Sequence, residues 1–219
     1  MQNAVLRQQI AHEEFDYQIL LDRLRGYARP RDKISTLLKS GTIIRVKKGL
    51  YAFGEAYRRM PVSREILANL IYGPSYISLD YALQYHGMIP EHVETVTSVT
   101  SGRSRSFNTP FGIFIYRRIS VSAFQIGMDR VSLDHDKSFL IATPEKALAD
   151  KLVSERGTAI RTQKELQKHI LENLRVDPEK FLQLDARRLM EIAFSFRSRK
   201  VMWASRLINK IQRHVEGES

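Results

Sequence analysis

The feature that most constrains the fold of this chain is a change of hydrophobic period at Gly41. Before this glycine, Ile34, Leu37 and Leu38 recur at helical spacing. After it, residues 42–53 contain two runs of β-branched and aromatic side chains, separated by the basic turn Lys-Lys-Gly. This pattern predicts a helix followed directly by a two-stranded hairpin with a cationic tip.

A second helix is predicted just upstream of the first. Apolar residues at i, i+3, i+4 and i+7 spacing follow Asp16, which can cap the helix, and Gly26 ends it. Pro30 suits the first turn of the next helix because its missing N–H has no helical partner there. Two helices joined by a short connection and followed by a hairpin predict a winged helix-turn-helix in residues 1–60.

The residue types on the helix that ends at Gly41, and on the hairpin after it, suit DNA binding. Serine and threonine can reach base edges in the major groove, whereas arginine and lysine bind phosphate or guanine, and a basic hairpin tip lies over the backbone. The predicted DNA-binding residues are Arg29, Arg31, Lys33, Ser35, Thr36, Lys39, Arg45, Lys47 and Lys48. The alternatives are a small helical subdomain with solvated lysines, or a winged helix used for protein contacts.

The distribution of charge agrees with a nucleic-acid partner. The chain has 219 residues and a formal net charge of +11. Residues 1–60 contain 12 Lys/Arg against 6 Asp/Glu and residues 151–219 contain 15 against 9, while residues 61–150 contain 8 against 9. Two basic ends therefore flank a nearly neutral middle, and clustered positive charge is typical of proteins that bind nucleic acids.

Three sequence segments stand out as motifs: ISTLLKSGTIIRVKKGLY at residues 34–51, YISLDYALQYHG at 76–87 and TPEKALAD at 143–150. In this order they resemble the AbiEi-type antitoxins of the abortive-infection AbiE toxin–antitoxin systems. The resemblance covers roughly residues 15–155. It implies a protein that represses its own toxin–antitoxin operon through the winged helix, and whose body counters a nucleotidyltransferase toxin, with or without a stable complex.

The fold class expected for the whole chain is α+β. After the boundary at Met60-Pro61, residues 61–155 predict a mixed α+β, antitoxin-like domain with an antiparallel sheet. Strands are expected at 93–100, 112–117, 123–128 and 138–142, and Ser78 and Thr143 are expected to cap helices. Residues 156–219 predict a helical C-terminal region, with amphipathic spacing throughout.

The last predicted helix carries a second basic face. Arg199, Arg206, Lys210 and Arg213 fall at i, i+7, i+11 and i+14, on one side of the helix. This face suits phosphate, RNA or an acidic partner, and its alternative is a solvated surface on a packed helix.

No catalytic or metal site is predicted. The chain has no cysteine, and its six histidines never fall at metal-ligand spacing on one helix. Asp134-His135-Asp136 with Glu145 nearby is better explained as an acidic turn before a helix start, and no phosphate-cradling glycine motif occurs. We therefore expect a non-enzyme without cofactor or metal. Because no apolar run is long enough for a bilayer span or a signal peptide, we also expect a cytoplasmic protein without membrane contact.

The function predicted from the sequence is a DNA-binding, antitoxin-like transcriptional regulator. Its partners would be double-stranded DNA at its own promoter and, functionally, a cognate toxin. Two alternatives remain at this point: a nucleic-acid-processing enzyme or its accessory subunit, and a winged-helix transcription factor whose body senses a ligand.

Overall fold

The N-terminal unit consists of three helices and a small antiparallel sheet. The computed structural model of the protein describes residues 2–133, 137–155 and 160–217. The first elements are α1 (Gln2–Gln9), β1 (Glu14–Asp16), α2 (Tyr17–Arg23), α3 (Pro30–Lys39), β2 (Ile43–Lys47) and β3 (Leu50–Phe53). The sheet has the order β1-β3-β2. The sequence pattern of residues 5–14 predicts one short helix, but α1 ends at Gln9 and the chain is extended from Glu14, because Phe15 fills the core and its strand pairs with β3.

Local capping explains where the helices of this unit begin and end. Asp16 Oδ1 accepts a hydrogen bond from Ile19 N at 2.8 Å and caps α2, as predicted. α3 has Pro30 in its first turn and is followed by Gly41 at φ +69°, a conformation that glycine adopts without strain.

Strand β3 lies between two hydrophobic cores, so both of its faces are buried. Tyr51 and Phe53 face a core made with α1, α2 and α3. Leu50 and Ala52 face a larger core that contains most of the remaining chain. The hairpin is thus a shared layer that holds residues 1–60 against the body.

The body contains a six-stranded sheet. Its elements are a 3₁₀ turn (Glu55–Tyr57), α4 (Arg64–Ile71), β4 (Ser75–Ile77), α5 (Leu79–Tyr85), β5 (Val96–Thr100), β6 (Arg105–Thr109), β7 (Gly112–Arg118), α6 (Val121–Phe124), β8 (Met128–Ser132), β9 (Ser138–Ala142) and α7 (Pro144–Ser154). The strand order is β6-β7-β5-β4-β9-β8.

This sheet corrects two sequence predictions. It is mixed rather than antiparallel, because β4 pairs parallel with β9 and β5 pairs parallel with β7. The strand expected at 123–128 is absent from the described structure: Val121–Phe124 is a short helix that buries Ala123, and the next strand starts at Met128. The overall α+β class is confirmed.

The predicted helical C-terminus is also confirmed. It comprises α8 (Gln163–Lys168), a π-helical turn (His169–Asn173), α9 (Pro178–Leu182), α10 (Ala186–Phe196) and α11 (Arg199–Gly217). Leu189, Ile192 and Val201 are buried in the same core as the sheet. The described residues thus form two cores, one within residues 1–60 and a larger one that spans the sheet and the C-terminal helices. The domain boundaries at residues 60 and 155 stay predictions. No helix in the described ranges has the length and apolar character needed to cross a membrane.

Candidate nucleic-acid interface

Helix α3 presents a polar face to solvent. Ile34 and Leu37 point into the N-terminal core, which fixes the rotation of the helix about its axis. Five residues of α3 are exposed: Arg31, Asp32, Ser35, Thr36 and Lys39. Four of the nine predicted DNA-binding residues therefore share one accessible helix face.

The two hydroxyl groups on this face have their protons directed to the helix backbone. Ser35 Oγ donates to Arg31 O at 3.2 Å, and Thr36 Oγ1 donates to Asp32 O at 3.0 Å. Each oxygen keeps its lone pairs for a partner in solvent. The two hydroxyl oxygens can therefore accept hydrogen bonds from donor groups of a ligand.

The remaining cations of the helix region lie at its rim. Arg29 is exposed and its Nη1 lies 3.9 Å from Asp32 Oδ2. Lys33 is half-buried, with Nζ 5.2 Å from the centre of the Tyr27 ring. Both cations lie near the N-terminal end of α3, the end that enters the major groove in helix-turn-helix proteins.

The three predicted cations of the hairpin point in two directions. Arg45 and Lys48 are exposed. Lys47 points to the body: its Nζ donates to the carbonyl oxygen of Ile71 and lies 5.9 Å from the centre of the Phe107 ring. Of the two lysines predicted at the tip, the structure therefore leaves only Lys48 directed to solvent.

A second basic hairpin, which the sequence prediction missed, lies beside this contact. Four arginines on β6, β7 and the loop before them are exposed: Arg103, Arg105, Arg117 and Arg118. The Arg105 guanidinium lies 5.6 Å from the centre of the Tyr72 ring, which in turn packs on Phe107 at 6.1 Å between ring centroids. The net charge of residues 61–150 is close to zero and does not reveal this cluster, because the acidic residues of that segment lie elsewhere along the chain.

The predicted basic face of α11 is exposed along its whole length. Arg206, Lys210 and Arg213, with Asn209, line a shallow cavity of about 440 Å³. Arg199 is about two helical turns away, and its guanidinium lies 4.8 Å from the centre of the Trp203 ring. The structure therefore brings three of the four predicted residues to one cavity.

The two body segments that carry the family resemblance meet in the interior. Ser78 Oγ donates to Asp150 Oδ2 at 2.6 Å, and Lys146 Nζ is 2.6 Å from Asp150 Oδ1. Ser78 was expected to cap α5, but its hydroxyl makes this contact instead. Burial lowers the pKa of Lys146 and raises the pKa of Asp150, while each opposes the shift of the other.

No metal centre is visible in the described part of the chain. Among residues 2–133, 137–155 and 160–217, no group of three or more His, Asp or Glu side chains could hold an ion. Asp134-His135-Asp136 lies outside the described residues. Glu145 Oε1 accepts a hydrogen bond from Asp185 N at 3.1 Å, across the interface between α7 and α10.

The surfaces that this geometry leaves available for a ligand are thus polar and cationic: the face of α3 with its hairpin, the arginines of β6 and β7, and the face of α11. Comparison of the chain with protein-family models and with curated proteins gives no match in either case.

Proposed function

We propose that the N-terminal unit is a winged helix-turn-helix and that the protein binds double-stranded DNA through it. The observation that carries the proposal is the outward face of α3, where two cations and two hydroxyl groups stand over a packed core. The element order α1-β1-α2-α3-β2-β3 with its three-stranded sheet supports it. In this proposal α3 enters the major groove, and the short hairpin lies over the adjacent backbone.

The state of the two hydroxyl groups specifies what α3 would recognise. Since Ser35 and Thr36 direct their protons to the helix backbone, they accept hydrogen bonds from exocyclic amino groups, such as adenine N6 and cytosine N4. Arg31 and Lys39 on the same face would bind phosphates or guanine. The two hydroxyl groups would therefore contact bases, and the two cations would add contacts to phosphate or to guanine.

The cationic surface continues beyond the N-terminal unit. Lys47 connects the hairpin to the body at Ile71 and Phe107, and the exposed Arg105 lies beside the same aromatic cluster. The arginines of β6 and β7 would add backbone contacts on the flank of the site. These contacts would increase affinity for any duplex without adding sequence preference.

The biological role that we propose is that of an antitoxin-like regulator. The protein would repress its own toxin–antitoxin operon and counter a nucleotidyltransferase-type toxin. The proposal is supported by the resemblance at residues 34–51, 76–87 and 143–150, which spans both the N-terminal unit and the body. In this role α3 binds the promoter, and the body carries the protective activity.

The central experiment measures binding of the full-length protein to duplexes from the DNA upstream of its own coding sequence, with shuffled duplexes as competitors. Five exposed cations can contact phosphate: Arg29, Arg31, Lys39, Arg45 and Lys48. At about −0.9 per contact, the slope of log affinity against log salt is expected to lie between about −4 and −5. Equal affinity for promoter and shuffled DNA, or an affinity that salt does not change, would contradict the proposal.

Substitutions distinguish residues that contact bases from residues that contact the DNA backbone. Ser35→Ala and Thr36→Val are expected to weaken promoter binding by about 1–3 kcal/mol per lost base contact, and to leave shuffled DNA unaffected. Lys39→Gln should weaken both duplexes alike, and Lys164→Gln, an exposed lysine on α8, should change neither. Parallel losses on both duplexes for Ser35 and Thr36 would mean that α3 does not read bases.

A cellular experiment tests the regulatory role. Lys39→Gln is expected to release repression of a promoter reporter while the variant still protects cells from the nucleotidyltransferase encoded next to it. If no such neighbour exists, or if protection is lost together with repression, the division of roles between α3 and the body is wrong.

A further inference from the structure

A groove on the C-terminal helices lies apart from the proposed DNA surface. It has a volume of about 720 Å³ and runs between the loop after α9, the outer face of α10 and the outer face of α11. Its walls are held by side chain–backbone hydrogen bonds. Gln212 Nε2 donates to Leu182 O at 2.8 Å and Leu184 O at 3.2 Å, and Ser205 Oγ donates to Ala186 O at 2.7 Å. The groove is therefore preformed rather than dependent on a partner for its shape.

The groove adjoins a cationic strip on α11. Arg206, Lys210 and Arg213 line the neighbouring 440 Å³ cavity, and Arg213 lines the groove as well. The α-helical rise places their Cα atoms about 6 and 4.5 Å apart along the axis. Arg187 on α10 adds a fourth exposed cation from the opposite wall. A row of cations at this spacing suits an extended chain of negative charges.

The opposite wall carries an exposed aromatic ring. Phe194 on α10 has 65% of its surface exposed, the largest value among the large hydrophobic side chains described. Met190, one turn earlier, lines the same wall. An exposed ring near a cationic row is the combination by which proteins bind single-stranded nucleic acids: cations follow the backbone, and bases stack on the aromatic face.

Two acidic side chains also line the groove, Asp185 and Glu191. They offset the charges of Arg187 and Arg213 there, so the net positive charge lies along the adjoining strip with Arg206 and Lys210. Asp185 caps α10, and its Oδ1 accepts hydrogen bonds from the backbone N–H groups of Arg187 and Arg188 at 2.8 and 3.2 Å. The amides of Gln183 and Asn209 offer donors and acceptors that match base edges. A peptide of acidic residues could use the cations and these amides, but it has no ring to stack on Phe194.

We propose that the groove between α10 and α11 binds single-stranded nucleic acid, with the backbone along Arg206, Lys210 and Arg213 and a base stacked on Phe194. Duplex DNA fits less well because its bases are stacked within the helix and cannot reach the ring. The site is independent of α3 and does not rest on the proposed operator binding.

The test uses the full-length protein and a fluorescein-labelled oligouridylate of about 12 nucleotides, within the usual site size. Fluorescence anisotropy is measured at several salt concentrations, with a duplex of equal length and a polyglutamate peptide as comparison probes. The single strand is expected to bind more tightly than either. With four cations contributing about 0.7 each, the slope of log affinity against log salt is expected near −3.

Two variants distinguish stacking from charge. Phe194→Ser is expected to weaken binding about fivefold or more without changing the salt slope, since a lost stack removes no counterion release. Arg206→Gln with Arg213→Gln is expected to reduce the steepness of that slope by about 1.4. The matched control, Lys164→Gln with Lys168→Gln on α8, removes the same charge and should change neither quantity.

Each contrary result overturns the proposal in a recognisable way. Absence of binding, or equal binding of polyglutamate, would mean that the groove has no preference for nucleic acid. Tighter binding of the duplex, together with a neutral Phe194→Ser, would make α11 a backbone contact for DNA. Loss of single-strand binding in Lys39→Gln rather than in the α11 variant would move the strand to the surface of α3. Promoter binding measured on the same samples reports on α3 separately.

Discussion

The ion pair inside the body offers the sharpest test of what holds this fold together. Lys146 and Asp150 are both fully buried, one helical turn apart on α7, with Nζ and Oδ1 2.6 Å apart. The Ser78 hydroxyl donates to Asp150, and the buried Tyr76 hydroxyl also acts on this carboxylate and lowers its pKa. The centre of the Phe196 ring lies 4.0 Å from Lys146 Nζ. We consider the substitution Asp150→Asn, which preserves shape and removes the negative charge.

The expected cost of Asp150→Asn is large because Lys146 keeps its charge and loses its counterion. Removing one partner of a buried pair destabilises proteins by about 3–5 kcal/mol. Domains have free energies of unfolding of about 5–15 kcal/mol, so this is a substantial fraction of the total. For a chain of this size it corresponds to a fall in Tm of about 6–20 °C.

The free energy of unfolding of Asp150→Asn should also depend on pH, in a direction that follows from the pKa of Lys146. Burial already lowers the pKa of Lys146, and removal of the carboxylate takes away the group that opposes this shift. The unfolded chain then binds more protons than the folded chain between the lowered pKa and the ordinary lysine value near 10.4. The free energy of unfolding of Asp150→Asn should therefore rise with pH in that window, by up to about 1.4 kcal/mol per pH unit.

The assay is urea unfolding followed by Trp203 fluorescence and by circular dichroism, from about pH 7 upward. The matched control is Glu172→Gln, which breaks an exposed ion pair to Lys168 at 3.8 Å and is expected to cost at most about 0.5 kcal/mol. The triple variant Ser78→Ala, Lys146→Met and Asp150→Leu should recover most of the loss, because it leaves no buried charge without a counterion. A cost below about 1 kcal/mol for Asp150→Asn, or a deficit that does not shrink as pH rises, would refute the reasoning.

Three further predictions concern the N-terminal unit. Lys48→Ala should reduce the steepness of the salt dependence of DNA binding by about 0.9, whereas Lys47→Ala should leave it unchanged and lower the Tm instead. Residues 1–60 alone should lack a cooperative thermal transition by circular dichroism, because the body-facing side of β3 loses its core. Gly54→Ala should lower the Tm, since its Cβ would overlap the carbonyl oxygen of Gly41 after α3, while Gly26→Ala, which meets nothing within 4 Å, should be tolerated.

Much of the local structure could be predicted from the sequence. The apolar spacing before Gly41 and the β-branched run after it predicted α3 and the hairpin, and Asp16 and Thr143 were recognised as helix caps. The helix and its caps depend on hydrogen bonds between residues at most four positions apart, and the hairpin on pairs no more than ten apart, such as Ile43 with Phe53. The local order of residue types is therefore sufficient to specify them. The exposed faces of α3 and α11 follow from the same periodicity.

The features that were missed depend on partners distant in sequence. β4 is bounded on one side by β5 and on the other by β9, more than sixty residues later, and that second pairing makes the sheet mixed. β1 was not recognised because three residues become a strand only when β3 lies beside them. Strand pairing of this kind has no local signature, since its hydrogen bonds join segments that the chain brings together only on folding.

The directions of individual charges were decided in the same way. The sequence determined that Lys47 and Lys48 stand at a turn, but the burial of Leu50 and Ala52 against the body decided that Lys47 turns inward. Likewise, the sequence determined that Ser78 precedes a helix, and only the approach of α7 gave its hydroxyl a buried carboxylate in place of a capping bond. The type of a side chain and its place in a hydrophobic pattern are properties of the sequence. Its interaction partner is the group that tertiary packing brings next to it. In a low-dielectric interior, that partner determines how much the interaction contributes to stability.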